Sequence, residues 1–304
     1  MSRKVHIKAP AKINAALSVG PPLADGMHPI SSWMITVDLY DEIELTALDA
    51  GSLSRYAILW HEEASQTPDI DWPIASDLAV RAHLALEKHL DRPLPLQMKL
   101  EKRIPLGGGL GGGSSDAAAM LRGINALYEL DLADDVLEAI AAEIGSDLPF
   151  LVRGGSGIVE GCGEQVEHLE ELSQLDAVLV LPGLACDTGQ VYKSLDTAGA
   201  PGVDSDRVRS LASSMIDGGA LFNDLAEPAM CVAPDLRAHQ HAVAELVDRP
   251  VHVSGSGSTL FVICQNSMES EAMASAIESK IGLAAVPVSA AGREAGMVVT
   301  SPAN

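Results

Sequence analysis

The chain has 304 residues, 47% of them hydrophobic and 20% charged, with 42 Asp and Glu against 20 Lys and Arg and a formal net charge of −22. That length is long for one core and sets two domains in close contact as the expectation, while the charge excludes a nucleic-acid surface, which needs clustered Lys and Arg. An anionic ligand must therefore be held locally, by backbone N–H groups and a few cations.

From the N-terminus, Val5, Ile7 and Ala9 alternate with His6 and Lys8, the period of a strand that leads into Pro10-Ala-Lys-Ile-Asn14. Period two puts Lys12 and Asn14 on one face. A lysine beside a strand is commonly solvated, yet Lys12 sits inside an otherwise apolar segment, so solvated and functional readings both stand. Ala24-Asp-Gly-Met-His-Pro29 is a turn, and His28 in it is either a turn residue or a group reaching a ligand. A strand pair is predicted from Ser31 to Leu48. Residues 49–73, with Trp60, Pro68, Trp72 and Pro73, read as an irregular surface excursion.

A helix is predicted from Ser76 or Asp77 to Leu90, with Leu78, Ala82, Ala85 and Leu86 on one face. Leu96, Met98 and Leu100 then alternate with polar residues in a strand that runs into Lys102-Arg103. Lys102 either reaches a ligand from there or is an exposed strand end.

Pro105 to Ala119 follows, with six glycines among the seven residues Gly107 to Gly113 and a helix-forming run directly after. Glycine permits positive φ and close backbone approach. Ser114, Ser115 and Asp116 can cap the next helix, whose free N–H groups and positive end suit a phosphate. Met120, Leu121, Ile124, Leu127 and Tyr128 give that helix an apolar face. No Lys-Ser/Thr follows the glycines as in a Walker A loop, and their spacing is not a dinucleotide fingerprint. A flexible linker would be polar on both sides, whereas this run joins a strand to an amphipathic helix.

Asp134 is predicted to cap a second helix bearing Leu137, Ile140, Ala141 and Ile144, stopped by Gly145. Asp147 lies between that stop and the apolar run Leu148 to Val152. So close to a core it either has a charged partner or caps a helical turn before Pro149. Glycine-rich turns around 154–163 mark a domain boundary. Beyond it come a strand at Ala177–Leu181, helices around Asp204–Ile216 and Leu236–Leu246, strands at Val251–Val253 and Thr259–Cys264, a helix at Ser267–Ile281 and a strand at Ala284–Ser289. This order suits a split β-α-β sandwich, with antiparallel strands covered on one face by helices. Ser254-Gly-Ser-Gly-Ser258 is a second glycine-rich turn.

Four widely spaced cysteines, Cys162, Cys186, Cys231 and Cys264, form no CxxC pair; this argues against zinc or a disulfide scaffold and fits a reducing cytosol. No apolar run reaches membrane-spanning length, and the first residues lack the apolar core of a secretory signal.

Pro10–Asn14, Pro105–Ala119 and Ser254–Ser258 together resemble the GHMP kinase superfamily of small-molecule kinases. Within it, Asp25-Gly26 with His28, Gly145-Ser-Asp-Leu-Pro-Phe150 and Phe222-Asn-Asp-Leu225 make the closest resemblance that to the members phosphorylating a cytidine diphosphate-linked polyol for non-mevalonate isoprenoid synthesis. The resemblance implies an α+β fold of two domains. Residues 1–163 would form an ATP-binding domain like a ribosomal protein S5 domain, and 164–304 a ferredoxin-like substrate domain. It implies ATP and Mg²⁺, a soluble cytoplasmic monomer or homodimer, and no membrane or nucleic-acid partner.

Residue by residue, the resemblance makes Asp147 the catalytic aspartate and Lys12 its partner. ATP would be bound by Lys102, Pro105, Gly107, Gly108, Gly109, Leu110, Gly111, Gly112, Gly113, Ser114 and Ser115. Substrate would be bound by Asn14, Met27, His28, Tyr192, Gly255, Ser256 and Gly257, with His28 recognising cytosine and Tyr192 stacking on it; no metal ligands are assigned. The family usually carries tyrosine where this chain has Met27. A thioether packs on a ring but supplies no aromatic stack. An arginine common before Asp25 is also absent from Pro21-Pro-Leu-Ala24. A kinase of another small alcohol would need the loop, Lys12 and Asp147 but neither His28 nor Tyr192, and a non-catalytic ATP-binding protein would transfer no phosphoryl group.

Overall fold

The alternation at Val5 to Ala9 opens a bent strand, β1 (Lys4–Val19), which pairs antiparallel with the longer β2 (Ile30–Ala47). The expected strand pair between Ser31 and Leu48 is thus a single strand of 18 residues. Register shifts between Pro10 and Ala11 and between Asn14 and Ala16 mark irregularities in the pairing that bend it, so each half of β2 can serve a different neighbour. The computed structural model describes residues 3–170 and 174–301, so the extreme ends of both expected domain spans lie outside the described residues.

The next elements in chain order are β3 (Arg55–Trp60), α1 (Leu78–Leu90), β4 (Leu96–Lys102), α2 (Gly112–Leu127), α3 (Asp134–Ala142), α4 (Leu148–Arg153), β5 (Ser156–Gly161) and β6 (Gln165–Leu169). They are followed by β7 (Asp176–Leu181), α5 (Thr188–Ala198), α6 (Ser205–Ala212), β8 (Phe222–Asn223), α7 (Ala226–Val232), α8 (Pro234–Val247), β9 (His252–Val253), β10 (Leu260–Cys264), α9 (Ser267–Ile281), β11 (Ala284–Ser289) and β12 (Val298–Ser301).

The first sheet runs β12-β1-β2-β4-β3, with β5 on the other half of β2, β6 on β5 and β8 on β1. The stretch 49–73 is not all irregular: β3 lies in it, parallel to β4. It is an edge strand whose side chains are half-buried or exposed, none fully buried, so its sequence carries no strong alternation. The second sheet, β11-β7-β10-β9, is antiparallel throughout. Alternation along its strands sorts two faces. Val178, Val180, Leu260 and Val262 join Val243, Ala274 and Ile277 of the covering helices in one apolar cluster. Ala177, Leu179, Leu181 and Phe261 join Ile13, Trp33 and Ile35 of the first sheet in another.

The layering expected of the second half is therefore present, and its open face is closed by the first half. We retain 1–163 and 164–304 as a proposed domain division, with three strands crossing it: β6, β8 and β12 follow residue 163 yet belong to the first sheet.

Three local expectations are corrected. The helix after the glycines begins at Gly112 with Gly111 (φ 70°) at its N-cap position and no capping side chain, so Ser114, Ser115 and Asp116 lie inside α2. Asp134 is the first residue of α3 rather than its cap, which is Ala133. Finally, α5 and α7 were not foreseen; α5 buries only Val191 and Leu195, too sparse a stripe to read as a period. Among the described residues no helix is long and apolar enough to cross a membrane.

Candidate active site

The glycine run does not hang free; three hydrogen bonds tie it to two other segments. Lys12 N–H donates to Leu110 O (2.9 Å), Thr259 N–H to Gly108 O (3.1 Å) and Ser254 Oγ to Gly109 O (3.0 Å). The loop is thus stretched between β1 and the second glycine-rich turn. Gly109 (φ 74°) leaves no room for a Cβ, which would fall on the Ser254 carbonyl, and a Cβ on Gly111 would sit 2.9 Å from Lys12 Cγ. The motif Phe222-Asn-Asp-Leu225 explains how the second turn is held. Asn223 Nδ2 donates to Val253 O (2.8 Å) and Gly255 O (2.7 Å), and Asp224 Oδ2 accepts from Val19 N–H (2.9 Å). Two stretches far apart in sequence are thereby clamped to the same strand.

Lys12 is 3% exposed, and its ammonium faces the loop. Nζ donates to Asn14 Oδ1 (2.6 Å) and Gly109 O (2.9 Å), and lies 3.4 Å from Asp147 Oδ2. With three N–H donors on the ammonium, the third is left for the carboxylate. Asp147 occupies the N-cap position of α4 without capping it, and Pro149 in that helix's first turn has no N–H that needs a partner. The carboxylate, 30% exposed, thus stays free for the cavity and for Lys12.

Lys102 requires a correction. Expected to reach a phosphate, it is 2% exposed, with Nζ 2.6 Å from Asp41 Oδ2 and 2.5 Å from Asp116 Oδ2. Its ammonium is spent on this pair behind the cradle. Burial works against the charge, but Asp116 and Asp41 outweigh it and hold the lysine pKa above its usual range. Burial also raises the Asp116 carboxyl well above its usual range; Lys102 opposes this and Asp41 adds to it. Asp41 Oδ1 is satisfied by the N–H groups of Arg103 and Ile104, whereas Asp116 Oδ1 and the buried Ser115 Oγ have no partner among the described residues.

One cavity of about 860 Å³ gathers these groups. Its lining includes Lys12, Asn14, Lys102, Pro105, Gly107 to Ser114 and Asp147, and further along Met27, His28, Tyr192, Gly255 and Ser256. Of the expected site residues, Ser115, buried in α2, and Gly257 of the second turn do not line it. At the far end the His28 and Tyr192 rings lie 4.8 Å apart, tilted by 44°. Burial, followed by the Asp147 charge, pushes the Tyr192 phenol up to about 12, so it stays neutral. Met27 is 46% exposed at the rim. Thr188, Lys193 and Asp196 of α5 also line the cavity and were not foreseen. Spacing of four residues along α5 from Tyr192 would have found Thr188 and Asp196, had that helix been read from the sequence.

Residues 77–155 match the model of the GHMP kinases N terminal domain. The chain is 37% identical to the 4-diphosphocytidyl-2-C-methyl-D-erythritol kinase of Caulobacter sp. (strain K31), over 89% of this chain and 92% of that one. It is 34% identical to the kinase of the same name from Citrifermentans bemidjiense, over 94% and 99%. The crystal structure of a 4-(cytidine 5′-diphospho)-2C-methyl-D-erythritol kinase superposes with a TM-score of 0.75 at 29% identity, covering 94% of this chain and 100% of that one. The mevalonate kinase of Methanococcus jannaschii shares the fold, with a TM-score of 0.67 at 11% identity, over 94% and 98%.

Proposed function

Because the chain belongs to the 4-diphosphocytidyl-2-C-methyl-D-erythritol kinase family of GHMP kinases, we propose that it transfers the γ-phosphoryl group of ATP to the 2-hydroxyl of that cytidine diphosphate-linked polyol, yielding the 2-phosphate and ADP. The observation that carries this reading is one cavity with an anion cradle and a Lys12–Asp147 pair at one end and a His28–Tyr192 pair at the other.

Phosphoryl transfer asks the protein chiefly for positioning and for stabilisation of charge. The N–H groups of the cradle and the first turn of α2 would hold the ATP phosphates. Asp147 would orient the 2-hydroxyl and accept its proton as the oxygen bonds to the γ-phosphorus and the bond to the ADP oxygen breaks. Lys12 would keep Asp147 ionised and offset phosphate charge. Mg²⁺ fits as an ion carried on the nucleotide, because it needs only one or two protein oxygens besides phosphates. Asp147, whose carboxylate borders the cavity, is the protein donor we propose for it. When bound, it neutralises charge on the β- and γ-phosphates.

Gly109→Ala tests the cradle. The substitution forces a side chain into positive φ and onto the Ser254 carbonyl, so affinity for a non-hydrolysable ATP analogue is expected to fall at least about tenfold in titration calorimetry. Undiminished affinity would place the phosphates elsewhere.

The function itself is tested by coupled ADP release with Mg-ATP and the cytidine substrate. Turnover is the expected result. Folded, ATP-binding protein with no turnover would leave a kinase of another alcohol, the reading that Met27 in place of tyrosine favours.

A further inference from the structure

We propose that Ser32 is a positioning residue for the transfer step, orienting the Asn14 amide and through it aiming the Lys12 ammonium at Asp147; this rests on the phosphoryl-transfer reading above. The side chains form one chain of hydrogen bonds. Lys12 Nζ donates to Asn14 Oδ1 at 2.6 Å, Asn14 Nδ2 donates to Ser32 Oγ at 2.8 Å, and Ser32 Oγ donates to Ala16 O at 2.9 Å. All three side chains are buried, so water stands in for none of these partners.

The direction of the chain is fixed by chemistry at both ends. An ammonium only donates and a main-chain carbonyl only accepts. Lys12 therefore demands the amide oxygen, which leaves Nδ2 facing Ser32; Ala16 O takes the hydroxyl proton, which leaves Oγ with lone pairs for Nδ2. A flipped amide would set two donors, Nδ2 and Nζ, against each other. Ser32 prevents the flip, because its hydroxyl is the one acceptor that Nδ2 has among the described residues. With Asn14 Oδ1 and Gly109 O both fixed, the third ammonium N–H is left for Asp147, 3.4 Å away.

The strand pairing places Ser32 for this role. β1 and β2 set Asn14 opposite Met34, and Ser32 lies two residues along β2 on the same face, a diagonal neighbour of Asn14. Between Asn14 and Ala16 the register slips by one residue, so that Ala16 faces Trp33 and not Ser32. Bulges of this kind re-aim side chains beside active sites. Here the Ala16 carbonyl, just past the bulge, is where the chain of hydrogen bonds ends. Ser32 does not line the cavity that Lys12, Asn14 and Asp147 border, so it acts only through them.

The test is single-turnover kinetics on the full chain, with saturating Mg-ATP and the cytidine substrate, for Ser32→Ala, Asn14→Ala and the double variant. Ser32→Ala should slow transfer about 10- to 100-fold, with affinity for ATP unchanged. In the Asn14→Ala background the same substitution should cost less than about twofold, because no amide remains to orient. Ser32→Thr, which keeps the hydroxyl, should retain most of the rate that Ser32→Ala loses. Equal losses in the two backgrounds would make Ser32 a packing residue and overturn the proposal, as would an undiminished rate in Ser32→Ala. Should the alanine variant not fold, Ser32→Cys, whose thiol accepts only weakly, carries the same comparison. Wild-type protein that fails to turn over the cytidine substrate overturns the reading beneath, and a crystal structure of Ser32→Ala then decides the orienting role by itself. Asn14 Oδ1 still 2.6 Å from Lys12 Nζ would overturn it.

Discussion

Asp147→Asn is expected to lower kcat about 10²- to 10⁴-fold, the range for losing a general base, with ATP affinity nearly unchanged. The substitution conserves shape and removes only the charge and the proton-accepting capacity. Asp147 makes no capping hydrogen bond to α4, so the helix should not notice the change. Its one ion-pair partner among the described residues is Lys12, whose Nζ keeps Asn14 Oδ1 and Gly109 O as partners. Lys12→Met should impair turnover too, and the double variant should be little worse than Asp147→Asn alone, because two residues acting as a unit are not additive. Single-turnover kinetics with saturating ATP would decide. Near wild-type turnover in Asp147→Asn would remove the aspartate from proton transfer and leave the reaction to positioning and charge.

Lys102→Met should be the most damaging substitution for stability. It leaves Asp41 and Asp116 buried without their shared cation, and breaking a buried ion pair from one side costs about 3–5 kcal/mol. In a protein of this size that corresponds to a fall in Tm on the order of 10 °C. Asp41 retains the Arg103 and Ile104 N–H groups, so most of the penalty should lie on Asp116. Adding Asp116→Asn to Lys102→Met should therefore recover part of the lost Tm. An unchanged melting temperature in the single variant would show that the triad is dispensable and return Lys102 to the phosphates.

The glycine run, the lone lysine in an apolar strand and the aspartate after Gly145 were all legible because each breaks a local rule. Glycine is costly in ordered structure, and a charge beside an apolar run needs a partner. Their assembly followed from the resemblance and not from the residues themselves. Lys12 and Asp147 are separated by most of the first domain, and only the fold puts Nζ 3.4 Å from the carboxylate. Lys102 was misread for the same reason: the sequence shows a lysine next to the cradle, whereas its two carboxylates come from β2 and α2. The part of the cavity around His28 and Tyr192 was half legible. His28 and Tyr192 followed from resemblance, but Asp196 required α5, whose polar surface hides its period.

By itself the sequence determined the α+β class, the helix-covered antiparallel second half and the backbone freedom of the loop, because these rest on periods of two and 3.6 and on glycine. Tertiary structure alone decided that β6, β8 and β12 return to the first sheet, that Asn223 and Asp224 clamp the second turn to β1, and that a single cavity joins the glycine cradle to His28 and Tyr192. Apart from the β5–β6 pairing, these are contacts between residues tens to hundreds of positions apart. Such contacts are fixed by which faces must be buried together, a property of the packed whole and not of any window along the chain.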